Sequence, residues 1–154
     1  MTSLRDVHGA MVTRFLAAQD KVYPQVLQQL RAGRKDTHWM WFIFPQLAGL
    51  GHSDMARHYA LQGLAEAGAY AAHPVLGARL LETTRAVLLH APDGMAPRAL
   101  HAIFGAPDDL KFISSMTLFA RAVPGEPLFA RALDAFNSGA EDPRTLALLG
   151  ATGG

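Results

Sequence analysis

Two stretches hold most of the residues able to do chemistry, HWMWFIFPQ at 38–46 and PDDLKFISSMTLF at 107–119. The first gathers His38, Trp39, Trp41 and Gln46, and contains both tryptophans of the chain. A buried indole or imidazole N–H without an acceptor costs about 1–3 kcal/mol, so a segment built only for packing is better served by Leu and Ile. Rings with polar tips at both ends of one short element suit the wall of a pocket. The face of Trp39 or Trp41 can stack on a flat base, worth roughly 1–3 kcal/mol, while His38 and Gln46 orient polar groups. The competing reading is a core helix, since tryptophan is highly buried on average.

In the second stretch, Asp108 and Asp109 fall in the first turn of an expected helix, where carboxylates interact favourably with the macrodipole. Lys111, three positions after Asp108, accounts for an ordinary exposed ion pair. Ser114, Ser115 and Thr117 are less expected, because hydroxyls in a helix interior compete for backbone bonds. Lys111, Ser114 and Ser115 lie within one turn and offer a cation and two hydroxyls to phosphate or ribose; the structural alternative is bonding to the carbonyl four residues back.

Together the stretches point to a pocket for a nucleotide or ADP-ribose-type small molecule, and to hydrolysis of an N-glycosidic bond as the reaction. Asp109 and His38 are the catalytic candidates, with Asp109 activating water or stabilising positive charge on the sugar. Trp39, Trp41, Gln46, Lys111, Ser114 and Ser115 are the candidate binding residues. The alternative is a non-enzymatic protein-binding module that uses 38–46 as a docking or homodimer face.

Other chemistries find no support. The seven histidines are scattered, HExxH is absent, and no metal or cofactor is expected. There is no cysteine for a disulfide, thiolate site or nucleophile. A net charge of +1 shows none of the basic excess that nucleic-acid wrapping uses. The longest apolar run, Trp39 to Pro45, is far short of the roughly 20 residues that span a bilayer. MTSLRDVHGA lacks a signal-peptide pattern, so a cytoplasmic protein is expected.

The elements that must position these residues read as helices. Apolar positions recur at three and four from Val22 to Leu30, with a junction near Asp20 and Gly33 as the stop. Ser53 is an N-cap, Gly63 a break and Pro74 a helix start. Further helices are expected at Met95–Phe104, Asp108–Val123, Leu128–Phe136 and Thr145–Leu149, and a helical 38–46 would end at Pro45. Strand-like alternation is absent. The expectation is a single all-α domain over 11–150, with loose segments at 1–10 and 151–154.

GRKDTHWMWFIFPQLAGLGHS, HYAL, AHPVLGARL, IFGAPDDLKFISSMTLF and DPRTLALL resemble the bacterial family of domain of unknown function 1810, over about Phe15 to Leu149. The resemblance implies a small, mostly helical, cytoplasmic single-domain protein without an established activity. Some members carry the label calpastatin; calpastatins are largely disordered inhibitors, whereas this composition is that of a packed globule. Ile113 departs from the pattern, standing where relatives often have an arginine, which puts an anion contact there in doubt. A fainter likeness, of helical organisation only, is to the NADAR family linked to NAD and ADP-ribose metabolism.

Overall fold

The computed structural model describes residues 4–152, and side chains from His8 to Gly150. The loose ends expected at 1–10 and 151–154 fall mostly outside those side chains, although the backbone is helical from Leu4. Ten helices follow one another among the described residues: α1 Leu4–Asp20, α2 Tyr23–Ala32, α3 Met40–Ile43, α4 Asp54–His58, α5 Leu64–Ala72, α6 Pro74–Leu88, α7 Leu100–Phe104, α8 Asp108–Ala122, α9 Leu128–Asn137 and α10 Pro143–Thr152. Among the described residues the one β pairing is an isolated bridge between Leu47 and Leu61.

Local chemistry sets many of the boundaries. Pro24 sits in the first turn of α2, and Gly33 ends it at φ 77°, the left-handed conformation glycine adopts without penalty. The Ser53 hydroxyl accepts from Ala56 N and starts α4. His73 does the same for α6, its Nδ1 accepting from Val75 N and Leu76 N ahead of Pro74. At Gly77 a Cβ would lie 2.1 Å from the Ala71 carbonyl oxygen, so only glycine lets α6 cross the end of α5 this closely.

Helix α8 occupies the centre. Every residue from Phe112 to Phe119 is buried, as expected of a helix enclosed on all sides, and α5, α7, α9 and α10 pack around it. Its ring neighbours continue the core outward: Phe112 meets Phe44 edge-on at 5.0 Å and stacks on Phe104 at 5.3 Å. On the far side Tyr70 contacts Phe119 at 5.5 Å and Phe15 at 5.0 Å. The buried Gln19 amide ties this side together, Nε2 donating to Phe42 O and to Tyr70 Oη, each at 2.8 Å, while Oε1 accepts from Arg79 Nη1 at 3.3 Å.

Two expected helices are shorter than the sequence suggested. The 38–46 segment forms only the single turn α3, and Phe44 leaves helical geometry at ψ 77°. Residues 95–99 are a loop, held back onto α6 by Ala96 N to Leu89 O and Arg98 N to His90 O, with Pro97 unable to donate. The segment between Gln46 and Leu61 leaves and returns at one place, where Leu61 N donates to Gln46 O and Ala48 N to Leu61 O. Within that excursion, α4 buries none of its residues.

Candidate functional site

The chain leaves α2 at Gly33 and is at once clamped by Gln29. Its Oε1 accepts from Trp39 Nε1 and Asp36 N at 2.9 Å and from Thr37 N at 3.3 Å, and its Nε2 donates to Thr37 Oγ1. The only donor of the Trp39 ring is therefore satisfied inside the protein, and its ring, 1% exposed, lies against Phe44 and Phe104. Trp39 is a core residue with no face left for a ligand. Trp41, on the one-turn helix α3 whose other members are buried, is half-buried and retains contact with the surface.

The first turn of α8 meets this segment. Asp108 takes two lysines: Oδ2 lies 3.0 Å from Lys35 Nζ and Oδ1 3.5 Å from Lys111 Nζ. Lys35 is nearly buried and its ammonium sits 5.1 Å from the Trp39 ring centroid. Lys111 is more open, with its ammonium 5.8 Å from the Trp41 ring centroid. Both contacts fall in the range of cation–π attraction. Two ammonium groups thus share one carboxylate, and the more open of them lies beside a half-buried aromatic ring.

Asp109 shares that turn. Its Oδ1 accepts from Leu110 N at 2.8 Å and its Oδ2 lies 3.2 Å from Nδ1 of the well-exposed His101. A carboxylate at Nδ1 fixes the ring so that Nε2 is presented outward, the arrangement in which an imidazole serves as a base. The sequence paired Asp109 with His38; the structure pairs it with His101, and His38 is an exposed residue ahead of α3.

The hydroxyls turn the other way. Ser114 is nearly buried, with its Oγ 3.1 Å from Leu110 O and 3.0 Å from Asp142 Oδ2. Thr117 Oγ1 donates to Ile113 O and accepts from Asp142 N. Asp142 Oδ2 also accepts from Thr145 N and Thr145 Oγ1. This network fastens the start of α10 to α8 and explains hydroxyls in a helix interior. Ser115 is fully buried, and its Oγ has no hydrogen-bond partner among the described residues. Gln46 stands apart: it borders a cavity of about 190 Å³ with Leu47, Arg57, Ala60 and Gln62.

Of the candidates, then, Trp41 and Lys111 come together, Asp109 shares the first turn of α8 with Lys111 but is bonded to His101, Trp39, Ser114 and Ser115 are interior, and Gln46 faces elsewhere. Lys35 and Asp108 join Lys111, and His101 joins Asp109; none of the three was singled out from the sequence as a site residue. Neither Trp41 nor Lys111 lines the cavity beside Gln46 or three others of about 470–510 Å³. Among the described residues, no three His, Asp or Glu side chains gather as a metal site would require, and no helix is long and apolar enough to cross a membrane.

The family model for protein of unknown function DUF1810 matches residues 10–149. The crystal structure of the conserved hypothetical protein Rv1873 from Mycobacterium tuberculosis is similar, with a TM-score of 0.83 and 51% sequence identity, covering 90% of this chain and 95% of that one. No curated protein matches.

Proposed function

Since the chain belongs to the DUF1810 family, whose description assigns no activity, we propose a function from the site itself: binding of a flat, anionic small molecule of the nucleotide or ADP-ribose type at Trp41 and Lys111. The observation that carries this reading is the 5.8 Å approach of the Lys111 ammonium to the Trp41 ring. A cation of the kind that attracts phosphate and a ring of the kind on which a base stacks lie within one ligand's reach, which supports this reading. Lys35 and Asp108 support the arrangement from beneath, since Asp108 holds both ammonium groups.

N-glycosidic hydrolysis is the reaction that suits the neighbouring groups. Water adds to the anomeric carbon as the C–N bond breaks, the base leaves with the bonding electron pair and takes a proton from solvent where it needs one, and the carboxylate of Asp109 stabilises positive charge developing on the sugar. His101, oriented by Asp109, takes the proton from the attacking water. A protein-docking role would instead call for a contiguous apolar face, whereas the large apolar side chains most exposed among the described residues, Met55, Val75, Met95 and Leu110, stand on separate elements.

Calorimetric titration with NAD, ADP-ribose and adenosine monophosphate tests the binding. Saturable heat that Lys111→Ala abolishes is expected; no heat up to about 5 mM, a concentration where even millimolar affinity registers, would overturn it. Chromatography of the same mixtures tests the reaction: a product that Asp109→Asn fails to diminish would remove Asp109 from it.

A further inference from the structure

A second concentration of positive charge lies away from that surface, in a groove of about 470 Å³ between α2 and α6. The two helices run in the same direction. Tyr23 at the start of α2 meets Arg79 and Glu82 of α6, and Leu30 near its end meets His90 just beyond α6. Arg31, Arg79 and Arg85 all line the groove, with Glu82 and a floor that includes Ala86 and Leu89.

The three guanidinium groups are not equivalent. Arg79 is fixed: Nη2 lies 2.9 Å from Asp20 Oδ1, Nη1 donates to Gln19 Oε1, and the group sits 4.8 Å from the Tyr23 ring centroid. Arg31 and Arg85 are exposed, and neither has a carboxylate within salt-bridge distance among the described residues. Their places in the last turns of α2 and α6 offset the negative ends of those helices. That role requires no convergence on one cavity, and Arg79, in the middle of α6, has no part in it. Glu82 is held from one side, its Oε1 accepting from the Tyr23 hydroxyl. Burial and this bond keep the Tyr23 phenol protonated well above its ordinary range, so the hold persists at any working pH. Glu82 Oε2 is left to accept from something else.

We infer that this groove is an anion-binding site for a small phosphorylated compound carrying an amino or hydroxyl donor. Arg31 and Arg85 close on the phosphate over the fixed Arg79, forming the charge-assisted, forked contacts that guanidinium makes with phosphate. Glu82 receives the donor, which selects against a bare dianion. The cavity volume lies within the range of small-molecule sites. The site shares no residue with the Trp41–Lys111 surface.

Phosphoethanolamine and inorganic phosphate, titrated separately at fixed ionic strength and followed by amide chemical shifts, test the assignment. Saturable shifts along α2 and α6 are expected, with phosphoethanolamine the tighter ligand. Arg31→Gln combined with Arg85→Gln, both at exposed positions, weakens binding by at least about tenfold, while a spectrum with its other amide shifts unchanged shows that the fold is kept. Glu82→Gln removes the preference for phosphoethanolamine. Lys111→Ala leaves these affinities unchanged, so the two sites fail or stand separately. Linear shifts without saturation up to about 10 mM, unaltered binding in the double arginine variant, or a preference indifferent to Glu82 would each overturn the inference.

Discussion

Trp39 and Trp41 stand two positions apart and face different environments: Trp39 is 1% exposed with its indole N–H bonded to Gln29, and Trp41 is half-buried beside Lys111. With no other tryptophan in the chain, fluorescence separates them. Trp41→Phe leaves a blue-shifted emission that acrylamide quenches poorly. Trp39→Phe leaves a red-shifted, readily quenched emission and lowers stability by about 1–3 kcal/mol, because ring volume and the Gln29 bond are lost together. Similar quenching of both single-tryptophan proteins would contradict the assignment.

The buried end of Lys35 depends on Asp108 more than Asp108 depends on Lys35. Asp108→Ala strands the ammonium of a lysine side chain that is only 7% exposed, a loss of roughly 3–5 kcal/mol. Lys35→Met removes the charge and keeps the aliphatic packing on Trp39, while Asp108 retains Lys111, so about 1 kcal/mol is expected. Urea denaturation of the two variants should place their midpoints in that order.

Gln19 joins α1 to α3, α5 and α6 through one amide. Gln19→Leu keeps the volume and leaves the Phe42 carbonyl and the Tyr70 hydroxyl short of a partner. A loss of about 2–4 kcal/mol follows, read as a lower urea midpoint with an unchanged slope. A loss below 1 kcal/mol, the order of a single net hydrogen bond, would show that water replaces the amide.

Burial raises the ionisation of the Tyr70 phenol well above its ordinary value, with the Gln19 bond opposing the shift. The unfolded chain loses this proton near pH 10 and the folded chain does not. Stability is thus complete below about pH 10 and falls by roughly 1.4 kcal/mol for each pH unit above it; Tyr23, raised first by burial and then by Glu82, adds to the same trend. The part of the 295-nm phenolate absorbance that Tyr70→Phe removes should rise together with loss of helical circular dichroism. A rise well before unfolding would mean that Tyr70 is open to solvent.

Asp142→Ala removes the acceptor shared by Thr145 and Ser114 at the start of α10. Loss of a cap bond and a buried partner together costs about 1–3 kcal/mol. Hydrogen exchange should show α10 opening independently of α8 in the variant; unchanged protection would refute the linkage.

The helices were legible where a boundary is written in one or two residues. Asp20, Gly33, Ser53 and Pro74 all mark ends or starts in the structure, because capping and proline act through the local backbone. The extents of α3 and α7 were not, since long-range contacts decide them: Phe44 bends away to reach Phe112, and the 95–99 loop is drawn back onto α6. At the candidate site the residue types of Trp41, Lys111 and Asp109 drew attention to two stretches, and the fold brings them together. Lys35 and His101 carry no spacing signal, because their partners lie on other elements. Ser114 was misleading for a related reason: a hydroxyl placed to hold α10 looks, in sequence, like one offered to a ligand.

The paired backbone bonds at Gln46, Ala48 and Leu61 have a practical corollary. They pinch off the chain between them like a handle on a closed vessel, and α4 on that handle gives nothing to the interior. A peptide epitope or a fluorescent reporter spliced in after His52, in the exposed stretch ahead of the Ser53 cap, would ride outside the globule, offering a way to label this protein without touching either of its charged surfaces.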